Sequence, residues 1–140
     1  MGADSSPRRT LAPGRLDYIY APSSDVAADA RWFAETLGAD VRFAIDSGGV
    51  RVAMLRVGTD SPPLVLTDHL PDERAILVYS VPSLDEAGES LRAAGWTLDV
   101  TIELPMGPAT TFRAPGGQRL AIYEASRPFV VESFVGRRDF

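Results

Sequence analysis

The order of strand and helix signals in this chain occurs twice. Each copy starts with a short strand-like run, continues with an amphipathic helix and ends with three more strand-like runs. The two helices end at Gly38 and Gly95, which are 57 residues apart. The predicted strands are, in order, 16–20, 41–45, 50–57 and 64–67 in the first copy and 76–81, 98–104, 110–114 and 119–123 in the second.

Both helices also carry start signals. Ser24 or Asp25 can cap the first helix, and Ser83 with Glu86 has the spacing of a capping box for the second. A single β-α-β-β-β unit buries its sheet face poorly, so the two copies must pack together. The sequence leaves open whether they pair within one chain or are exchanged between two chains. The repeat therefore predicts an α+β fold of two similar halves.

The repeat divides the chain into three segments. Residues 1–15 have no periodicity and predict a flexible N-terminal tail. Residues 16–126 form the domain, with module one at 16–69 and module two at 74–126. Residues 127–140 are too apolar for a free end, so they pack on the domain, cap the sheet or meet a second chain. This tail and Trp32, at the edge of the first helix's apolar stripe, lead us to predict a homodimer.

Composition excludes several functions. The net charge of −5 repels a phosphate backbone, so no nucleic-acid partner is expected. No apolar run is long enough to cross a bilayer and no secretory signal is apparent, so we expect no membrane partner and a cytoplasmic protein by default. The chain has no cysteine, and all 14 basic residues are arginine. Disulfides, thiolate metal sites and lysine Schiff-base chemistry are therefore excluded.

A family resemblance rests on an ordered set of short motifs. The first half contains DYIYAPSSDV at 17–26 and Leu37-Gly38, and the second contains LRAAGW at 91–96 and APGGQRLAIYE at 114–124. This set resembles the glyoxalase/bleomycin-resistance/extradiol-dioxygenase superfamily, the vicinal oxygen chelate fold. The resemblance implies two βαβββ modules that form a curved, cup-like mixed β-sheet with the helices on its convex side. The alternative fold is a generic ferredoxin-like α+β sandwich.

The resemblance also implies where a metal would bind. In metal-dependent members four inward-facing positions, on the first and last strands of each half, supply the ligands. In this chain the matching residues are Tyr18, Val65, Ile76 and Ala121. Hard or borderline divalent metals need oxygen or imidazole donors, and Tyr18 alone cannot hold one. We therefore predict no metal site and no cofactor.

Asp68 and His69, just after the fourth strand, could form a displaced metal site. Neighbouring residues of a strand point to opposite faces, however, which argues against shared ligation. We favour a polar link between the halves, over residues 67–73. His69 is the only histidine and so the only unperturbed near-neutral base. Glu124 is interpreted as a solvated strand end.

Without a metal, the cup can still enclose a small organic molecule. The resemblance implies that Tyr18 points inward, and strand alternation places Tyr20 on the same face and groups Arg119 with Tyr123 on the last strand. Tyrosine and arginine suit a flat or anionic ligand, through stacking and paired hydrogen bonds. Alternatively these residues only cover a core edge, with Arg119 paired to Glu124 or Asp17. Two weaker candidates, whose facing the pattern does not settle, are Arg56 and Phe112.

These observations lead to one preferred function and two alternatives. The preferred function is a metal-independent protein that binds a drug-like or natural-product molecule, as the bleomycin-resistance branch does. The first alternative is an enzyme of the glyoxalase, epimerase or dioxygenase kind, with a displaced metal site or metal-free acid–base chemistry at Tyr18. The second is a structural or regulatory dimer.

Overall fold

Two βαβββ units form one eight-stranded sheet in the computed structural model, which describes residues 14–70, 74–104, 106–127 and 129–140. The predicted repeat and the α+β class are confirmed. The N-terminal segment 1–13, for which a flexible tail was predicted, lies outside the described residues. The elements are β1 (Arg15–Pro22), α1 (Val26–Leu37), β2 (Asp40–Ser47), β3 (Val50–Arg56), β4 (Leu64–Thr67), β5 (Ile76–Ser80), α2 (Leu84–Ala93), β6 (Thr97–Leu104), β7 (Gly107–Arg113), β8 (Arg119–Tyr123) and α3 (Phe129–Phe134).

The two modules join through their first strands. The strand order is β2-β3-β4-β1-β5-β8-β7-β6, and β1 runs antiparallel to β5 with Tyr18 opposite Val78 and Tyr20 opposite Ile76. In each module the first strand also pairs in parallel with the last, β1 with β4 and β5 with β8. The two modules therefore pair within one chain, which is one of the two alternatives that the sequence left open.

Helices α1 and α2 cover the convex face, which we call the outer face. Under α1, Val26 and Ala30 pack on Leu55 and Leu66. Under α2, a second cluster packs around Phe112, which has no exposed surface. Burial of such side chains stabilises a fold by about 1.5–3 kcal/mol each, so these clusters fix both helices on this face.

The helix starts agree with the predicted caps. The Asp25 side chain accepts a hydrogen bond from the Ala28 N–H, and the Ser83 hydroxyl accepts one from the Glu86 N–H. Glu124 differs from its interpretation as a solvated strand end. Its Oε1 accepts the Leu84 N–H at 2.5 Å and so helps to cap α2.

The concave face, which we call the inner face, carries a third helix that the strand pattern did not predict. α3 lies across the cup. Val131 packs on the inner-face clusters of both modules, and Phe134 packs on the inner-face cluster of module one. The rings of Phe43 and Phe134 meet edge to face with centroids 5.6 Å apart. Of the open alternatives for the tail, the structure shows packing on its own domain and capping of the cup.

The last residues tie this helix to the edge of the sheet. We call residues 136–139 the C-terminal strap. The Ala44 N–H donates to the Arg137 carbonyl at 2.9 Å, and the Asp139 N–H donates to the Ala44 carbonyl at 2.7 Å. These bonds satisfy backbone groups of the edge strand β2, which would otherwise be open to another chain. The tail therefore no longer supports a dimer.

Within the described ranges, no helix is long and apolar enough to cross a membrane.

Candidate functional site

Two separate cavities lie on the inner face among the residues that the structure describes. The first cavity, of about 580 Å³, lies where β1 begins and β8 ends. The second cavity, of about 470 Å³, lies beneath α3 on module one. Met106 comes from the turn between β6 and β7 and lines both. Its buried side chain packs with Ile76 and Ala121, so it fills the middle of the cup.

A hydrogen-bonded chain of polar groups forms one wall of the first cavity. The Tyr123 hydroxyl donates to Oδ2 of Asp17 at 2.5 Å, and Nε of Arg15 donates to Oδ1 of the same carboxylate at 2.6 Å. The rings of Tyr18 and Tyr123 are tilted against each other with centroids 6.3 Å apart. Two aromatic faces and a paired carboxylate therefore line one side of this cavity.

A β-bulge brings Asp17 into this wall. Leu16 lies opposite Tyr79 and Tyr18 lies opposite Val78, so Asp17 is an extra residue of β1 with no partner on β5. Regular alternation would put Asp17 and Tyr18 on opposite faces, but a bulge lets two consecutive side chains share one. The sequence contains no glycine or other signal at this position that would have predicted the bulge.

The tyrosines of the cup are held in their neutral form. Burial raises the pKa of Tyr18, and the negative charge of Asp17 raises it further. Burial, followed by the hydrogen bond to Asp17, raises the pKa of Tyr123. Burial also raises the pKa of Tyr20. Near neutral pH these phenols can donate hydrogen bonds, and none is poised to act as a base.

Arg56 brings an incompletely satisfied cation to the first cavity. It follows Met54 by two residues on β3, so its side chain lies on the inner face. Its Nη1 makes only a long contact of 3.5 Å with the Thr59 carbonyl. Its Nε is buried and has no hydrogen-bond partner among the described residues. A buried donor without an acceptor costs about 1–3 kcal/mol, and the rest of the guanidinium is incompletely bonded beside the cavity.

Comparison with known proteins places this architecture. The model of the Glyoxalase/Bleomycin resistance protein/Dioxygenase superfamily matches residues 15–122. The chain belongs to this superfamily. Comparison with curated protein sequences gave no match.

Solved structures of low sequence identity share the fold. Methylmalonyl-CoA epimerase from Mycobacterium tuberculosis is 18% identical, with a TM-score of 0.63 over 81% of this chain and 89% of that one. A hypothetical protein from Bacillus halodurans C-125 is 13% identical, with a TM-score of 0.66 over 79% and 94%. The 2,3-dioxygenase LapB from Pseudomonas sp. KL28 is 15% identical, with a TM-score of 0.55 over 79% of this chain and 42% of that one.

The ligand positions of metal-dependent members of the superfamily do not suit a metal in this chain. Tyr18, Val65, Ile76 and Ala121 all lie on the inner face, as the resemblance implied. Their only side-chain donor atom is the phenol oxygen of Tyr18, because the other three side chains are hydrocarbon. Among the residues that the structure describes, no three His, Asp or Glu side chains are grouped as metal ligands. The donor set does not fit a divalent cation.

Asp68 and His69 do not converge on one point. Oδ1 of Asp68 accepts the Arg51 N–H at 3.1 Å, whereas Nδ1 of His69 is hydrogen-bonded to the Thr67 hydroxyl. His69 is exposed, as expected of a polar link between the halves, and it also lines the second cavity. Its proximity to Tyr20 and to α3 follows from tertiary packing, and no local motif indicates it.

The six predicted ligand residues do not all lie in one cavity. Tyr18, Arg56 and Tyr123 line the first cavity together, and Tyr20 lines the second. Arg119 is buried and lines neither; its Nη2 donates to Asp99 at 3.1 Å instead of pairing with Glu124 or Asp17. Phe112 lines neither of these two cavities, contrary to the prediction, because alternation along β7 puts it on the outer face under α2.

Proposed function

We propose that this protein binds a small organic anion in the first cavity without the help of a metal ion. The observation that carries the proposal is Arg56, whose buried Nε points to no acceptor while its side chain lines the cavity. A carboxylate accepts two parallel hydrogen bonds from a guanidinium, which makes it the group of first choice. A cavity of about 580 Å³ lies within the range of small-molecule sites.

The other lining groups restrict the ligand further. Tyr18 and Tyr123 present neutral rings and hydroxyls, which suit a flat, partly aromatic body. Arg15 already balances the charge of Asp17. Asp60, on the opposite loop, also lines the cavity and presents a carboxylate that accepts hydrogen bonds. The preferred ligand is therefore an aromatic carboxylate that also carries a hydroxyl or amine donor.

Binding is favoured over catalysis by the chemistry of the site. Two of the structural relatives are, by name, an epimerase and a dioxygenase, but the ligand positions of this chain do not fit a cation. A metal-free enzyme would need a base at the reacting group. Tyr18 has a raised pKa, and His69 lines the second cavity and not the first. The enzyme alternative would therefore have to use a carboxylate, Asp17 or Asp60, as its base in the first cavity, and Asp17 is already engaged by Arg15 and Tyr123.

We also propose a homodimer, because apolar side chains outside the tail are exposed. The tail packs on its own domain, but Trp32 on α1 is 54% exposed. The edge strand β6 adds the exposed apolar side chains of Leu98, Val100 and Ile102. Two-fold association is the commonest way in which such surface is buried.

The anion site can be tested with a panel of probes of matched shape. Salicylate, 4-hydroxybenzoate and cinnamate would be titrated by calorimetry beside their uncharged amides. At least one carboxylate should bind, with the amide weaker. Arg56→Met should reduce that affinity by roughly tenfold to a hundredfold, because a charge-assisted hydrogen bond contributes about 1.5–3 kcal/mol.

Arg42→Met is the matched control, because Arg42 forms an exposed ion pair with Asp40 away from the cavity. Equal affinity of wild type and Arg56→Met for the carboxylate would overturn the proposal. So would amides that bind as tightly as the acids.

A further inference from the structure

The second cavity differs from the first in chemistry and in what closes it. Its floor is made by apolar side chains of β2, β3 and β4, and its roof is made by Val131 and Phe134 of α3. The polar residues at its margin include Tyr20, His69 and Arg137. Arg137 is engaged by Asp139 through two hydrogen bonds, of 3.1 and 2.8 Å. The cavity therefore has an apolar interior and no cation left to attract an anion.

We infer that this second cavity is a separate site for an uncharged, apolar small molecule, with His69 as its polar anchor. An apolar cavity of about 470 Å³ offers water few hydrogen-bond partners, and such cavities take up apolar compounds. The family match ends at residue 122, so the helix that roofs this cavity lies outside it. The inference does not depend on the anion site of the first cavity.

His69 is oriented for this role by its neighbour. The hydroxyl of Thr67, which is fully buried, is hydrogen-bonded to Nδ1 of the imidazole. Among the described residues, no group bonds to Nε2. One ring nitrogen is thus used to hold the ring, and the other is available for a hydrogen bond to a ligand. One anchor in an apolar site favours a ligand with a single hydrogen-bonding group.

The roof is built so that it can open. α3 has six residues, none of them buried, and a helix of that length is unstable by itself in water. It is held by the packing of Val131 and Phe134 on the inner face and, beyond the helix, by the strap, where the Gly136 N–H donates to the Arg42 carbonyl at 2.8 Å. Segments with so few buried contacts open locally at low free-energy cost. A ligand can therefore enter by displacing α3 while the sheet stays folded.

The probe for this site is N-phenyl-1-naphthylamine, which is uncharged, largely apolar and fluorescent in apolar surroundings. The wild-type protein should bind one probe molecule per chain with a marked rise in fluorescence. Val131→Phe in the roof and Val52→Phe in the floor should each weaken binding at least tenfold, because the larger ring occupies the cavity. His69→Ala should weaken binding by roughly fivefold, the worth of one neutral hydrogen bond.

Val130→Phe is the matched control, because it makes the same change on α3 at a residue that does not line the cavity. It should leave probe affinity unchanged, as should Arg56→Met and saturating salicylate. Circular dichroism would verify that each variant is folded. The inference is overturned if the probe does not bind, or if both filled variants, in folded form, bind it as wild type does. Displacement of the probe by salicylate would also overturn it, because the two cavities would then be one site.

Discussion

The Tyr123 hydroxyl donates a 2.5 Å hydrogen bond to the carboxylate of Asp17, a residue 106 positions earlier in the chain. Tyr123 ends the last strand of module two, and Asp17 lies in the bulge of the first strand of module one. The bond therefore ties the two modules together at the wall of the first cavity. Because Asp17 also accepts from Arg15, its charge is satisfied where it would otherwise be buried beside the two tyrosines.

Removal of this bond should reduce stability. Tyr123→Phe keeps the ring and deletes the hydroxyl, so we expect the free energy of unfolding to fall by about 1.5–3 kcal/mol, the range for a hydrogen bond to a charged group. Urea denaturation would measure it. Tyr79→Phe is the control, because Tyr79 packs among the outer-face residues near α2. A loss no greater than that of the control would show that the bond is not stabilising.

Tyr18 should contribute to ligand affinity more than to stability. Tyr18→Phe should lower the affinity for the preferred carboxylate by about 1 kcal/mol and change the melting temperature little. Tyr18→Ala should reduce both further, because it also removes the ring. Calorimetry and thermal unfolding would separate the effects. If both variants bind the carboxylate with wild-type affinity, Tyr18 is not part of the site.

The purified protein should contain no stoichiometric divalent metal, and a chelator should leave its melting temperature unchanged. The reason is the donor set at the four superfamily positions, where Val65, Ile76 and Ala121 offer no ligand atom. Elemental analysis and thermal unfolding with and without EDTA would test this. One tightly bound zinc, nickel, iron or manganese ion per chain would contradict it and would also remove the basis for metal-free binding.

Acid should loosen the strap before it unfolds the sheet. The hydrogen bond from Arg137, and then the backbone N–H of Asp46, hold the pKa of Asp139 below its ordinary value of 3.8. A lowered carboxyl pKa stabilises the fold above the unfolded-state value, and this stabilisation is lost as the pH falls through the folded-state value. We therefore expect the protection of the Ala44 and Asp46 amides from hydrogen exchange to fall below about pH 4.

Asp139→Asn should reproduce that loss of protection at neutral pH. Asp40→Asn, which changes an exposed ion pair on the same strand, should not. Equal protection in the two variants would show that the Asp139 carboxylate does not hold the strap.

Sedimentation velocity should give twice the mass of the chain. Trp32→Glu should yield monomers, because a charge in an apolar interface is costly. Val135→Glu places the same charge on an exposed residue of the tail, which packs on its own domain, and should leave the dimer intact. A monomeric wild-type protein would refute the dimer.

The sequence by itself determined the two βαβββ units and most element ends, because those signals are local. Strand β4 was predicted at 64–67 and observed at Leu64–Thr67, and the caps at Asp25 and Ser83 were readable from residue type and spacing. Alternation also placed Tyr18 and Tyr20 on one face correctly, because a strand keeps its period of two wherever it is regular, and the family resemblance identified that face as the inner one.

Only the tertiary structure decided where the candidate sites lie. The bulge at Asp17 depends on the pairing of β1 with β5, which are far apart in the chain. The division of the cup depends on Met106 and on α3, whose short apolar run suits several positions on the domain equally well. The sequence pattern did not settle on which face of the sheet Arg56 and Phe112 lie. The strands of the folded sheet place Arg56 on the inner face and Phe112 on the outer face. Contacts between residues distant in sequence are set by packing of the whole domain, and no local period encodes them.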